Sequence, residues 1–366
     1  MSGTSMDGLD IALCTVNQIK KNKNITLHFF KTAKYSKSQK EKLQKIAFQE
    51  QVSLKEVSRL HRMIGEWHAQ MILQALEEWK ILPQEVDMIA SHGQTIYHAP
   101  DPQGGFHSTL QIGDGDCIAL RTGILTISDF RQKHIAAGGE GAPLAPYGDY
   151  LLLSDAKESR WLLNIGGIAN VTYLPPRHSG QSLWASDCGP GNTLSDAISK
   201  HFLKQDYDPH GQIASQGRFL EDLFTQLTAH PFFRQAFPKS TGQEAFSWQW
   251  LAGLLKGKDY NVPDILHTLG CFVAWSIAQA INSQNPCDAR KIYVSGGGVH
   301  NHFLMEKLQA YLPEYHIQST EALGIPPDAK EAMLFALLAY ECFHGNPDSY
   351  PPPLVPVRFG KISLPG

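Results

Sequence analysis

The chain has 366 residues, of which 42% are hydrophobic and 18% charged, and its formal net charge is -3. This length suffices for two domains, and the absence of a basic stripe with interleaved aromatic residues argues against nucleic acid as the main partner. No leader pattern and no apolar run of ~18 residues is recognisable, so we expect a cytoplasmic protein without a membrane span. Six scattered cysteines without a Cys-x-x-Cys pair fit free thiols in a reducing compartment.

The hydrophobic pattern predicts the same order of strands and helices twice along the chain. Alternating or continuous apolar runs predict strands at 9–16, 25–35, 86–91, 109–112, 124–130, 161–165, 168–174, 183–186 and 291–295. Apolar residues at three- and four-residue spacing predict helices from Leu54 to Met71 and at 117–122, 193–203, 263–282, 301–312 and 328–343. The tail from Pro351 is expected to be irregular. We therefore predict an α/β protein with two domains, 1–128 and 129–366, mixed sheets flanked by helices and a ligand cleft between the domains.

A loop rich in glycine and hydroxyl side chains opens the chain, with the sequence Met-Ser-Gly-Thr-Ser-Met-Asp-Gly over residues 1–8. Glycines let backbone N–H groups approach an anion closely, and Ser2, Thr4 and Ser5 add hydroxyl donors. Asp7 is suited to hold a hydrated Mg²⁺ that bridges phosphates. The loop therefore predicts contact with the β- and γ-phosphates of ATP, and an ordinary polar turn is the alternative interpretation.

Two further glycine-rich turns lie in the second half of the chain. Gly166 and Gly167 join two apolar strands, which fits either a hairpin turn or contact with a nucleotide. Gly296–Gly298 follow a strand and precede a helix, an arrangement that favours a flat group lying against bare backbone over a simple tight turn. Because neither Gly-x-x-x-x-Gly-Lys-[Ser/Thr] nor Gly-x-Gly-x-x-Gly occurs, a P-loop enzyme and an ordinary dinucleotide-binding fold are both disfavoured.

Asp187 is the candidate general base, because it follows a strand and precedes the helix-opening run Gly189-Pro-Gly-Asn192. A helix-capping acid is the alternative. Near the predicted domain junction, Arg131 either meets an anionic substrate group or forms an internal ion pair with Asp129. Glu331 opens an apolar helix and is either an acceptor for sugar hydroxyls or an acid placed to suit the helix dipole.

The run from Ser91 to His98 displays two imidazoles, an amide and a hydroxyl after a strand. Its spacing matches no standard zinc pattern, so it favours polar substrate contacts or packing at a strand end over a metal site.

These runs together resemble the anhydro-N-acetylmuramic acid kinase family of the sugar kinase, heat-shock chaperone and actin superfamily. The matching segments are 2–10, 91–100, 109–114, 128–146, 164–172, 187–196, 295–301 and 330–339. The resemblance implies two ribonuclease-H-like (actin-like ATPase) domains, with ATP in the cleft between them, the phosphates held by the first loop, and the adenosine facing Gly296–Gly298. It also implies Mg²⁺, an amino-sugar substrate and a homodimer as a candidate assembly.

The resemblance assigns the catalytic acid/base role to Asp187. The residues assigned to the nucleotide are Gly3, Thr4, Ser5, Met6, Asp7, Gly8, Leu9, Asp10, Gly166, Gly167, Asn170, Gly296, Gly297, Gly298 and Asn301. The residues assigned to the sugar are His92, Gln94, Thr95, Asp129, Arg131, Gly191, Asn192 and Glu331. Asp7 is expected to hold the metal through water.

The implied reaction opens the 1,6-anhydro ring of anhydro-N-acetylmuramic acid with water and phosphorylates O6, within peptidoglycan recycling. Two departures from the family pattern stand out. The family has a strand before its Gly-Thr-Ser loop, which we expect to be absent or shortened here, and His134 and Glu140 replace an acid and a glutamine near the expected sugar site. A kinase of another amino sugar and a chaperone-like ATPase module are the alternatives, although the sequence has no separate peptide-binding domain.

Overall fold

The protein is described here from a computed structural model that covers residues 1–3, 6–19, 22–99, 101, 106–142, 144–177, 179–284, 289–346 and 350–366. The predicted phosphate-loop residues Thr4 and Ser5 lie outside the described residues. The chain forms two compact units: unit 1 comprises Met1–Leu153 and Ala329–Gly366, and unit 2 comprises Ser154–Asp328. These bounds differ from the boundary expected after residue 128, because residues 129–153 and the C-terminal helix pack with the N-terminal strands.

Twelve strands are assigned in the described part of the chain: β1 Gly8–Ile19, β2 Asn22–Lys34, β3 Ile89–Ser91, β4 Gln94–Ala99, β5 Ser108–Ile112, β6 Thr126–Ser128, β7 Arg160–Ile165, β8 Ile168–Leu174, β9 Trp184–Pro190, β10 Lys291–Ser295, β11 His316–Ser319 and β12 Lys361–Ser363. The α-helices there are α1 Lys37–Gln44, α2 Leu54–Trp79, α3 Gly115–Thr122, α4 Phe130–Ala136, α5 Ala145–Leu153, α6 Thr193–Ile198, α7 Glu221–Thr228, α8 Trp248–Leu255, α9 Val262–Gln284, α10 His302–Tyr311 and α11 Lys330–His344.

Unit 2 contains a five-stranded mixed sheet with the order β11-β10-β7-β8-β9. Strands β7, β8 and β9 form an antiparallel meander, and β10 and β11 continue the sheet parallel to β7. Numbered within the unit, the order is 3-2-1-4-5, which is the strand order of a ribonuclease-H-like sheet. The predicted fold class, α/β with mixed sheets flanked by helices, is confirmed.

The core of unit 2 lies between one face of this sheet and helices α9 and α10. Trp161, Leu163 and Ile165 of β7 are fully buried there against Ile277 and Ile281 of α9. Among the described residues α9 is the helix that is long and apolar enough to cross a membrane, and 72% of its most apolar window is buried inside the protein. That burial is typical of a core helix.

Unit 1 distributes its strands over three sheets. β1 and β2 form the predicted antiparallel hairpin, β4 and β5 form a second one, and β3, β6 and β12 form a three-stranded sheet. Helix α2 buries Leu60 and Ile64 in a cluster with Ile96 and Ile112, as its apolar spacing predicted. Helix α11 packs on β1 and β3.

Several predictions for unit 1 were wrong in extent, and the strand expected at 86–91 is limited to β3, Ile89–Ser91. The strand expected at 124–130 ends at Ser128, because Asp129 adopts a left-handed backbone with φ 52° and Phe130 starts α4. The tail after Pro351, expected to be irregular, contains β12, whose Ile362 pairs with Ile127 of β6. Three residues are too few for an alternating pattern to be recognisable in the sequence.

Candidate active site

A row of polar residues crosses four strands of the unit 2 sheet. Ser295 of β10 pairs with Asn164 of β7, Asn164 pairs with Asn170 of β8, and Asn170 pairs with Asp187 of β9. Residues in register on neighbouring strands point to the same face, whereas the flanking Leu163, Ile165 and Val171 are buried in the core. The sheet thus keeps its apolar side chains on one face and presents this row, with Asp187 as its one carboxylate, on the other.

The backbone around Asp187 is held by two interactions. A register shift in the β8–β9 ladder leaves Cys188 as an extra residue in β9, and such a bulge redirects the neighbouring side chains. The N–H of Asp187 donates to the carbonyl of Lys239 at 2.9 Å, and Oδ2 of Asp187 accepts from the N–H of Thr241 at 2.8 Å. Burial raises the pKa of the Asp187 carboxyl above its usual range, and the hydrogen bond from Thr241 opposes this rise.

The Gly166-Gly167 turn is tied to the start of α6. The N–H groups of Gly191 and Asn192 donate to the carbonyls of Gly167 and Gly166, both at 2.8 Å, and Oγ1 of Thr193 donates to Gly167 at 2.7 Å. A Cβ at Gly191 would collide with the carbonyl of Gly166, so these two backbones need a glycine to pass. These bonds place Gly166 and Gly167, which were predicted to contact the nucleotide, beside Gly191 and Asn192, which were predicted to contact the sugar.

The three glycines after β10 have different surroundings. Gly296 has φ 81°, and a Cβ on it would lie 2.7 Å from the carbonyl oxygen of Ile165. A Cβ on Gly298 would collide with the side chain of Ile165, whereas the nearest atom to a Cβ on Gly297 is Nδ2 of Asn192 at 3.9 Å. Packing thus explains Gly296 and Gly298, which the sequence attributed to a ligand, and Gly297 is the one of the three that faces open space.

Asn301 caps α10. Its Oδ1 accepts from the N–H of Leu304 at 3.0 Å, and its own N–H donates to the carbonyl of Gly298. The predicted contact of Asn301 with a nucleotide stays a prediction beside this structural role.

In unit 1, Gln94 anchors the N-terminal loop. Its fully buried side chain accepts from Oγ of Ser2 at 2.6 Å and donates to the carbonyl of Gly3 at 3.0 Å. The N–H of Met6, which has φ 55°, also donates to the carbonyl of Gly3 at 3.2 Å. Thr95 is buried beside it and accepts from the side chain of Gln111 at 3.2 Å. Gln94 and Thr95 were predicted to bind substrate; the contacts of Gln94 support the loop, and the contact of Thr95 joins β4 to β5.

The acids of the loop differ in exposure and partners. Asp7 is exposed, with 63% of its side chain accessible, and pairs with Lys40 at 2.6 Å. Asp10 accepts from the hydroxyl of Thr32 at 2.6 Å. Gly8 must be glycine because a Cβ would collide with the carbonyl of Ala33, and the side chain of Leu9 is buried, so both offer only backbone to a ligand.

An exposed carboxylate fits a hydrated Mg²⁺ that is carried by phosphates, since Mg²⁺ at such sites keeps several waters and takes one or two protein carboxylates. Within the described residues no group of three or more His, Cys, Asp or Glu side chains is placed to hold a metal alone. The donor set at Asp7 is therefore suited to metal bound together with a nucleotide.

His92 and Arg131 form the second polar cluster of unit 1. Nε of Arg131 donates to Nε2 of His92 at 2.9 Å, and Nη1 of Arg131 donates to the carbonyl of Gly141 at 2.9 Å. Nδ1 of His92 lies 2.9 Å from the carbonyl of Gly93, so a neutral imidazole with its proton on Nδ1 satisfies both contacts. Burial and then Arg131 lower the pKa of His92 well below its usual value. Burial also lowers the pKa of Arg131 to about 10, opposed by the charge of Glu331, so Arg131 stays cationic at neutral pH.

The ion pair between Asp129 and Arg131, considered as an alternative from the sequence, is wrong. Asp129 pairs with Lys361 of β12, and the guanidinium of Arg131 is engaged by His92 and Gly141. Lys361 lies 232 residues from Asp129 along the chain, so no local pattern indicates this partner.

His134 lies near the end of α4 and contacts the short loop that follows, which carries Glu140. Nδ1 of the buried His134 accepts from the N–H of Gly141 at 3.0 Å, and its ring packs against Tyr147 and Phe359. Glu140 is exposed on the same loop. Packing against Tyr147 and Phe359 thus accommodates a histidine at position 134, where the family pattern has an acid.

Residues to which the sequence gave no site role complete the two clusters. In unit 2 these are Asn164, Ser295, Lys239 and Thr241, and in unit 1 it is Gly141. Ser2, which was expected to offer a hydroxyl donor, donates to Gln94. Asn164 and Ser295 flank glycine turns, and this position could have identified them in the sequence as candidate site residues. Thr241 lies 54 residues beyond Asp187 in an irregular segment and has no such signal.

The chain was also compared with known proteins. A model of the family described as "Anhydro-N-acetylmuramic acid kinase" matches residues 1–354. The chain belongs to the anhydro-N-acetylmuramic acid kinase family. A relative of that name from Pseudoalteromonas atlantica is 46% identical over 378 residues, covering 100% of this chain and 94% of the relative. Another, from Caldanaerobacter subterraneus subsp. tengcongensis, is 36% identical over 380 residues, covering 100% and 96%.

Among solved structures, a dehydratase activator from Clostridium difficile with bound ADPNP has a TM-score of 0.35 and 15% identity, covering 59% of this chain and 67% of that chain. A TM-score and a sequence identity this low support no inference about this chain. Membership in the anhydro-N-acetylmuramic acid kinase family confirms the predicted enzyme class, an ATP-dependent sugar kinase, and the resemblance stated from the motifs.

Proposed function

We propose that this chain adds water to 1,6-anhydro-N-acetylmuramic acid and transfers the γ-phosphoryl group of ATP to O6, giving N-acetylmuramic acid 6-phosphate for peptidoglycan recycling. The observation that carries the proposal is Asp187, a half-buried carboxylate with a raised pKa at the end of the polar row on the unit 2 sheet. A general base for water needs such a position, fixed by backbone contacts and partly shielded from solvent.

The proposed reaction has two bond exchanges. Asp187 takes a proton from water as the water oxygen bonds to C1 and the C1–O6 bond breaks, leaving the electron pair on O6. O6 then bonds to the γ-phosphorus while the bond to the β-phosphate oxygen breaks, and ADP leaves. The proton on Asp187 is released to solvent. The carboxylate of Asp187 has to face the attacking water, so its orientation must be fixed, and the hydrogen bonds with Thr241 and Lys239 supply that restraint.

In this proposal the glycine turns and the N-terminal loop bind the nucleotide. Gly297 and Gly166 have room where a Cβ would lie and so offer accessible backbone to ATP, and Gly167, whose Cβ position is filled by the side chain of Gln243, completes the turn. Residues Gly3 and Met6–Asp10 approach the phosphates of ATP. Asp7 would hold Mg²⁺ through water once the hydrated metal has replaced Lys40 as the partner of its carboxylate. A Mg²⁺ held there would supply positive charge to offset the charge that develops on the phosphoryl oxygens.

Arg131 and Glu331 are proposed to bind the sugar. The guanidinium of Arg131 is pre-oriented by His92 and Gly141, so it can meet the lactyl carboxylate or amide of the substrate at little entropic cost. Glu331 is exposed in the first turn of α11 and accepts hydrogen bonds from sugar hydroxyls. Asp129, Gly191 and Asn192 complete the proposed sugar contacts.

We further propose that the enzyme acts in the cytoplasm on small molecules and not on nucleic acid. Five cysteines in the described residues carry free thiols, which is typical of a reducing compartment. A homodimer remains the assembly that we propose from the family resemblance.

An ATPase assay tests the proposed function directly. We expect ADP release to be strongly stimulated by the anhydro sugar and to equal the phosphorylated sugar formed, mole for mole. Equal ATPase rates with and without sugar would contradict the kinase assignment and favour the chaperone-like ATPase considered from the sequence.

A further inference from the structure

Lys239 places a buried cation in an irregular segment of unit 2, where the residue is 8% exposed. Its Nζ donates to the carbonyl of Phe232 at 3.0 Å and to that of Gln235 at 3.4 Å. The same nitrogen lies 4.3 Å from the ring centroid of Phe232, 4.1 Å from that of Phe237 and 5.6 Å from that of Phe233. We call these four surrounding residues the Lys239 cage. It holds the ammonium by neutral carbonyls and aromatic faces.

The core of unit 2 fixes the cage in place. Phe233 packs against Phe272 and Trp275 of α9, with ring centroids 5.3 and 5.1 Å apart. Phe237 packs against Trp184 of β9 with a centroid distance of 6.3 Å. Because Phe272 is fully buried, the cage is joined to the interior and not only to a surface loop.

The backbone of Lys239 pairs with the end of β9 that carries Asp187. The N–H of Lys239 donates to Oγ of Ser186 at 3.0 Å. Its carbonyl accepts from Oγ of Ser186 at 3.1 Å and from the N–H of Asp187 at 2.9 Å. Two residues later, the N–H of Thr241 donates to Oδ2 of Asp187 at 2.8 Å. Lys239 therefore joins the cage through its side chain and Asp187 through its backbone.

Packing alone does not explain a lysine at this position. A buried ammonium costs far more than an apolar side chain of similar length, and burial lowers the pKa of Lys239. What the ammonium adds is direction, because its N–H donors bind carbonyls at fixed positions, whereas an apolar chain end can slide between rings. The side chain thus acts as an anchor for the segment that follows it.

We propose that Lys239 is a positioning residue for the general base. Its caged ammonium anchors the chain so that the N–H of Thr241 stays on Oδ2 of Asp187 and leaves Oδ1 to face the attacking water. The inference rests on the proposed function, because it takes Asp187 to be the base.

Lys239→Met tests the anchor, because it keeps the length of the side chain and removes its donors. We expect kcat to fall by roughly 10–100-fold, the effect of a small misplacement of a catalytic group, while the KM for ATP stays within about threefold. An N–H donor favours the charged carboxylate, so losing the Thr241 donor raises the pKa of Asp187. The acidic limb of kcat/KM should therefore move to higher pH.

A double-mutant cycle with Thr241→Pro separates anchoring from the charge of Lys239. If Lys239 acts through the Thr241 donor, Lys239→Met should not move the acidic limb further in the Thr241→Pro background. An additional shift as large as in the parent enzyme would show that the cation acts on Asp187 directly and would overturn the proposal. The adjacent Cys188 thiol does not titrate in the acidic range, because burial and then Asp187 raise its pKa.

Two more variants control for stability. Leu308→Ala removes packing from α10 in the same core, and at an equal loss of Tm it should not move the acidic limb. Phe232→Leu removes one aromatic face and keeps the carbonyl contact, so it should shift the limb in the same direction as Lys239→Met but less. An unmoved limb in both cage variants, or an equal shift in Leu308→Ala, would contradict the positioning role.

A carboxyl titration by ¹³C NMR separates this inference from the proposed function, since it needs no turnover. With the signal assigned through Asp187→Asn, we expect the pKa of Asp187 to be higher in Lys239→Met than in the parent protein. An unchanged pKa would overturn the positioning role even if the enzyme is the proposed kinase. A raised pKa in a protein without sugar kinase activity would support the positioning of Asp187 and refute the proposed function alone.

Discussion

The backbone N–H of Thr241 donates a 2.8 Å hydrogen bond to Oδ2 of Asp187 across 54 residues of sequence. Because the donor is a backbone group, the bond depends on the path of the chain from residue 237 to 241 and not on a threonine side chain. The same segment supplies the carbonyl of Lys239 to the N–H of Asp187. Asp187 is therefore oriented from both its backbone and its carboxylate.

Replacing Asp187 with Asn should lower turnover by roughly 10²–10⁴-fold, because the amide cannot take a proton from water. The affinity for ATP, measured by calorimetry, should stay within about threefold. Asp196→Asn is the matched control, since Asp196 is another partly buried acid of unit 2, with its pKa raised by burial to about 6, but lies outside the polar row. Unchanged turnover in Asp187→Asn would remove Asp187 from the mechanism.

The pH dependence follows from the raised pKa of Asp187. A general base must be deprotonated, so kcat/KM should fall as the pH drops through this pKa, and the acidic limb should lie above the ordinary value of 3.8. An N–H donor favours the charged carboxylate, so Thr241→Pro, which lacks the donor, should move this limb to higher pH. Thr241→Ala keeps the donor and should not move it. Identical profiles for the two variants would show that this hydrogen bond does not tune Asp187.

Replacing Asp7 with Asn should raise the Mg²⁺ concentration needed for half-maximal activity by roughly tenfold, because a neutral amide holds hydrated Mg²⁺ poorly. Lys40→Gln should not raise this requirement, since it frees Asp7 from its ion pair. The Asp7–Lys40 pair is exposed, so neither change should cost more than about 1 kcal/mol of stability. An unaltered Mg²⁺ dependence in Asp7→Asn would contradict the assignment.

The glycines after β10 allow the effect of a substitution on packing, measured as stability, to be separated from its effect on ATP binding. Gly298→Ala should lower the free energy of unfolding by about 1–3 kcal/mol, since its Cβ collides with Ile165. Gly297→Ala has room and should change stability by less than about 0.5 kcal/mol, yet raise the KM for ATP by roughly tenfold if the nucleotide lies there. Denaturant unfolding and ATP titration of the two variants check both statements. A normal KM in Gly297→Ala would place the nucleotide elsewhere.

The sequence was informative where structure depends on local pattern. The hairpin β7–β8, strand β10 and helix α9 follow from apolar periodicity, and the glycine turns mark the strand ends where polar residues gather. It was uninformative where partners are distant in the chain. The pairing of Asp129 with Lys361 and the contact of Thr241 with Asp187 depend on tertiary packing. The helix α11 joins unit 1 for the same reason, although it follows all of unit 2 in the sequence.

The coupling of ring opening to phosphoryl transfer is tested most directly by mass spectrometry of the product formed from anhydro-N-acetylmuramic acid and Mg·ATP in ¹⁸O-labelled water. The account predicts a phosphorylated sugar with one ¹⁸O at C1 and none in the phosphate, after correction for exchange at the anomeric carbon in a matched incubation of the product. A phosphorylated sugar without ¹⁸O at C1, or with the label in its phosphate group, would contradict the account.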